Sequence, residues 1–77
     1  MKYIIFEDFS GRPEPFLFPR RVDHGDMREQ MPYTKVLSAG YIEWQDGTIV
    51  CHSGSSELEA TAQAHDAEII MARLAGK

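Results

Sequence analysis

The residues best equipped for chemistry stand side by side at Cys51 and His52. A thiolate beside an imidazole can form a nucleophilic pair or supply the first two ligands of a metal site. Neighbouring residues of a β-strand point to opposite faces, however, so the two side chains are expected to point apart. A metal site would also need His24 or His65 to converge on them, and the chain has neither a C-x-x-C nor an H-x₃-H spacing. The sequence therefore predicts a buried structural cysteine, an exposed histidine, no metal site and no cofactor.

The segment SGSS at 53–56 offers a second kind of chemistry, because loops of this composition before a helix can bind anions. The segment lacks the lysine and the fixed glycine spacing of a phosphate-binding P-loop. Clusters of glycine and serine are also ordinary loop composition, so a flexible connector is the favoured interpretation. Anion binding at this segment stays open as the alternative.

Carboxylates recur in both segments that are predicted to be helical, and paired acids can carry out general acid–base catalysis. Their positions suit helix ends and solvated helix faces, where the helix dipole and water account for them. These residues are Asp23, Asp26, Glu29, Asp66 and Glu68. Because no set of catalytic residue types converges elsewhere, the sequence predicts that the protein is not an enzyme.

The 77 residues carry a formal net charge of −4, which disfavours binding to the phosphate backbone of nucleic acids. A basic protein partner is compatible with this charge. No apolar run approaches the roughly 18–20 residues of a membrane span. The apolar part of the opening MKYIIFE is too short for a signal peptide, because an acidic residue follows it directly. A single cysteine fits a reducing compartment. We therefore expect a cytoplasmic protein without a membrane partner.

The stretch that positions most of these residues, 34–53, is predicted to be a long β-hairpin. Asp46-Gly47 is a strong type I′ turn pair, and a two-residue loop fixes the register so that Trp44 faces Ile49. Side chains then alternate between two faces. The predicted core face carries Ile42, Trp44, Ile49 and Cys51, and the wetter face carries Tyr41, Glu43, Gln45, Thr48, Val50 and His52.

The wetter face of this hairpin is the candidate interaction surface. Tyr41, Val50 and His52 are expected to lie side by side there, and tyrosine is enriched at protein interfaces. Arg20 and Arg21 form the one basic cluster and are a candidate docking point for an acidic partner. The alternative is that another part of the chain covers this face.

The other elements follow from hydrophobic periodicity and breakers. An inner strand is expected at 2–8, and an edge strand or an extended segment at 15–19 between two prolines. A bulge or bend is expected near 38–40. Asp23 is expected to cap a short helix within 20–31. A second helix is predicted to begin near Ser56 or, preferably, Thr61, and to bury the stripe of Ala67, Ile70, Met71 and Leu74.

The element order is β-β-α-β-β-α, which predicts an α+β fold. We expect residues 1–77 to form one small domain, with a mostly antiparallel four-stranded sheet and both helices packed on one face.

Five features resemble small uncharacterised proteins of bacterial prophages. They are the KYIIFED opening, the phenylalanine–proline segment before a short acidic helix, VLSAGY, the run from Cys51 to Ser55, and HDAEII near the end. The resemblance implies a bacterial or phage cytoplasmic setting. It brings no assigned activity, cofactor or site residue.

The favoured functional hypothesis is a non-enzymatic module that binds a protein partner through the exposed face or edge of its sheet, which in a prophage setting suggests a modulator of a host process. The alternative is a homo-oligomeric structural subunit that pairs through an edge strand or the hairpin face. A small enzyme and a nucleic-acid binder rank below both.

Overall fold

A four-stranded antiparallel sheet forms the centre of the computed structural model, which describes residues 1–76. The strands are β1 (Lys2–Glu7), β2 (Pro13–Phe18), β3 (Val36–Gln45) and β4 (Thr48–His52), in the spatial order β2-β1-β3-β4. The side chains of β1 from Tyr3 to Phe6 are fully buried. This confirms the predicted inner strand, because a run that is apolar on both faces needs cover on both faces.

The sheet is completed by two helices and a second, very small sheet. These elements are α1 (His24–Gln30), β5 (Gly54–Ser55), β6 (Ala60–Thr61) and α2 (Asp66–Gly76). The α+β class and the predicted element order are confirmed, with β5 and β6 as an addition. The predicted flexible connector at 53–56 is wrong, because two of its residues pair with β6. The predicted start of the second helix is also too early, since β6 occupies Thr61.

The two helices pack on opposite faces of the sheet, which corrects the expectation that both lie on one face. Residues of β1 alternate between two cores. The α2-side core contains Tyr3, Ile5, Ile42, Ile49 and Ile70, whereas the α1-side core contains Ile4, Phe6, Phe18 and Ala39 with Met27 of α1 packed against them. Because β1 is apolar on both faces, one helical layer alone would leave half of it exposed.

The predicted hairpin register is confirmed from Tyr41–His52 to Gln45–Thr48. Asp46 and Gly47 adopt φ angles of 52° and 80°, as a type I′ turn requires. A bulge is also present, one residue before the predicted segment: Ile5 pairs with Ser38 and Phe6 with Val36, so that Leu37 is extra. The bulge turns Ser38 towards α2, where it reaches Asp66, and leaves Val36 in the α1-side core.

The assignment of Trp44 to the core is wrong, since 66% of this residue is exposed. The pairing of β1 with β3 ends at Lys2–Tyr41, so the tip of the hairpin extends past the end of β1. The predicted stripe of α2 is confirmed for Ala67 and Ile70, which pack in the α2-side core, and is wrong for Met71 and Leu74, which are 39% and 57% exposed. Near its end the helix pairs Arg73 with Glu14 of β2.

Candidate functional site

The predicted interaction surface is assembled around Tyr41 on the α1 side of the sheet. His52 lies directly opposite on β4 and stacks on the tyrosine ring, with ring centroids 5.9 Å apart. The guanidinium of Arg20 lies 5.3 Å from the same ring, a cation–π distance. Val50 shares this face because it stands two residues before His52 on β4. Arg21 is exposed in the same turn and makes no ion pair within residues 1–76.

Two further residues complete this surface and could not be found from the sequence. The Nζ of Lys2 lies 5.9 Å from the ring of Tyr41 and donates to the carbonyl of Val22 at 2.8 Å. His24 is buried, packs edge-on against Tyr41 and donates from Nε2 to the carbonyl of Gly40 at 3.2 Å. Both contacts depend on the strand register and on α1 lying on this face, which no local pattern encodes.

Tyr41 is therefore largely enclosed by side chains of its own chain. The residues Tyr41, Val50 and His52 are each half-buried. Internal packing, the alternative stated for this face, accounts for the greater part of its geometry.

A hydroxyl, an imidazole and a carboxylate stand in series beside this surface. His52 Nε2 donates to Glu43 at 3.1 Å, and in that tautomer its Nδ1 accepts from the hydroxyl of Ser53 at 2.8 Å. Such a series is the starting arrangement of an activated nucleophile. Here the side chains of His52 and Glu43 are 41% and 53% exposed, whereas nucleophilic catalysis depends on charge stabilisation in a water-excluded site. The contacts lie where the chain turns from β4 into β5, and Ser53 adopts a φ of 64° there.

Cys51 lies on the opposite face from His52, as strand alternation predicts, and packs against the α2-side core. Burial raises the pKa of the Cys51 thiol above its ordinary value of 9.0. A protonated thiol is a poor nucleophile and a poor metal ligand. Cys51 therefore behaves as a small apolar residue of the core.

Beside Cys51, the carboxylate of Asp66 forms a buried network at the start of α2. It accepts hydrogen bonds from the phenol of Tyr3 at 2.5 Å, from the hydroxyl of Ser38 at 2.9 Å and from the backbone N–H of Gln63 at 2.8 Å. Only 2% of Asp66 is exposed. The network fixes the first turn of α2 on β1 and β3, so its role is structural.

This network predicts a loss of stability at alkaline pH. Burial raises the pKa of the Tyr3 phenol above its ordinary value of 10.0, and the hydrogen bond to Asp66 raises it further. The folded protein therefore holds a proton that the unfolded chain releases, so stability is complete below about pH 9 and falls as the pH rises past 10. Urea unfolding of wild type and Tyr3→Phe between about pH 7 and 11 should show a smaller alkaline loss in the variant. Equal losses in the two proteins would contradict this origin.

The structure does not assemble the anion site or the metal site that were considered from the sequence. Gly54 and Ser55 lie in β5, and α2 begins ten residues after Ser56, so the loop-to-helix geometry of an anion cradle is missing. Within residues 1–76, no three histidine, cysteine, aspartate or glutamate side chains are placed to hold a metal ion. The same residues include no helix of the length and apolar character that crossing a membrane requires.

A groove of about 360 Å³ with a mainly apolar lining lies between the hairpin tip and the end of α2. It is lined by Met1, Leu17, Ile42, Trp44, Ile49 and Leu74. The buried floor is formed by Ile42 and Ile49, and the exposed side chains of Met1, Trp44 and Leu74 line its upper part. Sequence reasoning missed this groove because it assigned Trp44 and Leu74 to the core. The signal available was the length of the hairpin, which exceeds that of the first predicted strand.

Comparison with protein-family models, with curated proteins and with solved structures gives no match for this chain.

Proposed function

We propose that the protein is a non-enzymatic interaction module and that the apolar groove beside Trp44 is its docking surface. The observation that carries this proposal is the exposure of Trp44 at a groove lined by apolar side chains. Tryptophan is the residue type most enriched among binding hot spots. The exposed apolar side chains of this groove gain free energy when a partner covers them, and exposed apolar patches mark interaction sites.

The partner that fits this groove is a protein segment that inserts an apolar side chain and carries basic residues around it. The apolar floor of Ile42 and Ile49 selects the inserted side chain. The net charge of −4 favours the approach of a basic partner over an acidic one. In the prophage setting that the sequence suggests, such a partner would be a cytoplasmic host protein whose action the module modifies.

The Tyr41 surface takes second place in this proposal. Arg20, Lys2 and His52 already contact the ring of Tyr41, so a partner would find little unsatisfied surface there. It lies on the face of the hairpin opposite the groove and remains a predicted interaction surface of lower rank.

The test compares three forms of the full chain as affinity baits in bacterial lysate, with mass spectrometry as the readout. Trp44→Glu places a charge in the groove, and Phe9→Glu makes the same kind of change at another exposed aromatic, in the turn after β1 at the far end of the sheet. We expect wild type and Phe9→Glu to recover the same protein and Trp44→Glu to lose it at least tenfold, which corresponds to a hot-spot loss of about 1.4 kcal/mol or more.

A second measurement must then show that the recovered protein binds at the groove. Trp44 is the only tryptophan of the chain, so its fluorescence reports on the groove directly. Titration with the purified partner should shift the emission to shorter wavelength and protect it from iodide quenching. Recovery of the same proteins by Trp44→Glu, or an unchanged Trp44 emission at saturation, would refute the proposed docking surface.

A further inference from the structure

The outer edge of β4 lacks the proline and charged side chains that commonly protect sheet edges from pairing. Its five residues, TIVCH, include no proline, lysine or carboxylate. The other edge of the sheet is different, because β2 contains Pro13 and Pro15, which cannot donate to a new strand. Of the two edges of the sheet, only the β4 edge therefore favours pairing with a further strand.

The hairpin register identifies the backbone groups that are available at this edge. A two-residue turn makes Gln45 and Thr48 a hydrogen-bonded pair, and the antiparallel pattern then alternates along the ladder. The N–H and C=O groups of Ile49 and Cys51 consequently point away from β3. Within residues 1–76, neither residue makes a backbone hydrogen bond in the turns and loops or between other elements.

This edge is complementary to itself. If a two-fold axis passes beside Val50, Ile49 of one copy faces Cys51 of the other, and each such pair exchanges two ladder hydrogen bonds. Thr48 then faces His52, so the full length of β4 is paired and no like charges stand opposite each other. The nearest carboxylate on the neighbouring strand, Glu43, is already paired with His52 of its own chain.

We propose that two copies of this chain associate through antiparallel pairing of their β4 edges, with the two-fold axis at Val50. The two four-stranded sheets then become one eight-stranded sheet. Pairing of one short strand is a small interface compared with the roughly 1,200–2,000 Å² of stable complexes, so the dimer forms reversibly as concentration rises.

The dimer depends on backbone groups at the β4 edge, whereas the docking groove depends on apolar side chains. The two-fold axis is perpendicular to the joined sheet, so both copies present their α2 side in the same direction. The two grooves beside Trp44 therefore lie on one face of the dimer. A partner with two apolar anchors would engage both, and its apparent affinity would exceed that of either groove alone.

Disulfide trapping tests the register. In a Cys51→Ala background, Val50→Cys places two thiols in a directly opposed, non-hydrogen-bonded pair about 4.5 Å apart at Cα, which suits a disulfide. Thr48→Cys is the matched control, because its symmetry mate lies about four residues, roughly 13 Å, away along the strand. Under mild oxidation we expect Val50→Cys to become a covalent dimer at least tenfold faster than Thr48→Cys. Light scattering of wild type over a concentration series should show a monomer that converts to a dimer.

A wild type that stays monomeric at the highest concentration, or equal trapping of the two cysteine variants, would overturn the proposal. Trp44→Glu separates this inference from the proposed function. A dimer that persists in Trp44→Glu while partner recovery is lost supports both. Loss of the partner without any dimer in wild type overturns the dimer and leaves the docking groove standing.

Discussion

Replacement of Asp66 by alanine is expected to remove a large part of the stability of the protein. The change leaves the phenol of Tyr3, the hydroxyl of Ser38 and the backbone N–H of Gln63 without their acceptor. Each buried polar group that loses its partner costs about 1–3 kcal/mol. The two buried hydroxyls, of Tyr3 and Ser38, together correspond to a loss of about 2–6 kcal/mol. The whole stability expected for 77 residues is about 4–12 kcal/mol.

Urea denaturation followed by circular dichroism measures this loss. Glu68→Ala is the matched control, because Glu68 is an exposed carboxylate in the same first turn of α2, and its removal should change stability by about 0.5 kcal/mol or less. Asp66→Asn keeps one acceptor oxygen and should fall between the two. If Asp66→Ala costs no more than Glu68→Ala, the network does not hold α2 in place.

Substitution of Gly40 by alanine is also expected to be strongly destabilising. A Cβ at this position would lie 2.5 Å from the backbone carbonyl oxygen of His52 and 3.3 Å from the Tyr3 side chain. The carbonyl belongs to the backbone, so β4 would have to move away from β3 and the Tyr41–His52 pair would be disturbed. A clash of this kind in a packed interior costs about 1–3 kcal/mol and occasionally more, and we expect the upper end here.

Gly25→Ala provides the comparison for this variant. Its added Cβ would meet only the carboxylate of Glu57, the mobile end of an exposed side chain, at 3.0 Å. Alanine also favours the helical conformation of α1 by up to about 1 kcal/mol, so the net change should be small. Denaturant midpoints of the two alanine variants should therefore differ clearly. Equal midpoints would show that β3 and β4 can separate at Gly40 without cost.

The parts of the fold that could be predicted are those that local chemistry determines. The Asp46-Gly47 turn fixes its own backbone angles, and a two-residue loop then sets the register of the whole hairpin. The apolar run from Tyr3 to Phe6 likewise required an inner strand. Cys51 and His52 were correctly predicted to lie on opposite faces of the hairpin, because strand alternation is a property of the backbone.

The errors concern relations between elements of different length. Trp44 has the sequence environment of a core residue. It is exposed because the pairing of β1 with β3 reaches no further than Lys2, whereas the hairpin extends beyond that point. The start of α2 was placed too early because β5 and β6 are two residues each, too short for a periodicity to appear. The groove beside Trp44 follows from the same length difference, so the candidate site could not be located by residue type alone.

The alternation of β1 between the two cores has a thermodynamic consequence. Tyr3 and Ile5 belong to one core and Ile4 and Phe6 to the other, and all four are carried by one six-residue strand. Neither core can lose β1 without exposing the apolar side chains of the other. We therefore expect the two layers to share one melting transition, with the sheet and its helices unfolding as a single cooperative unit.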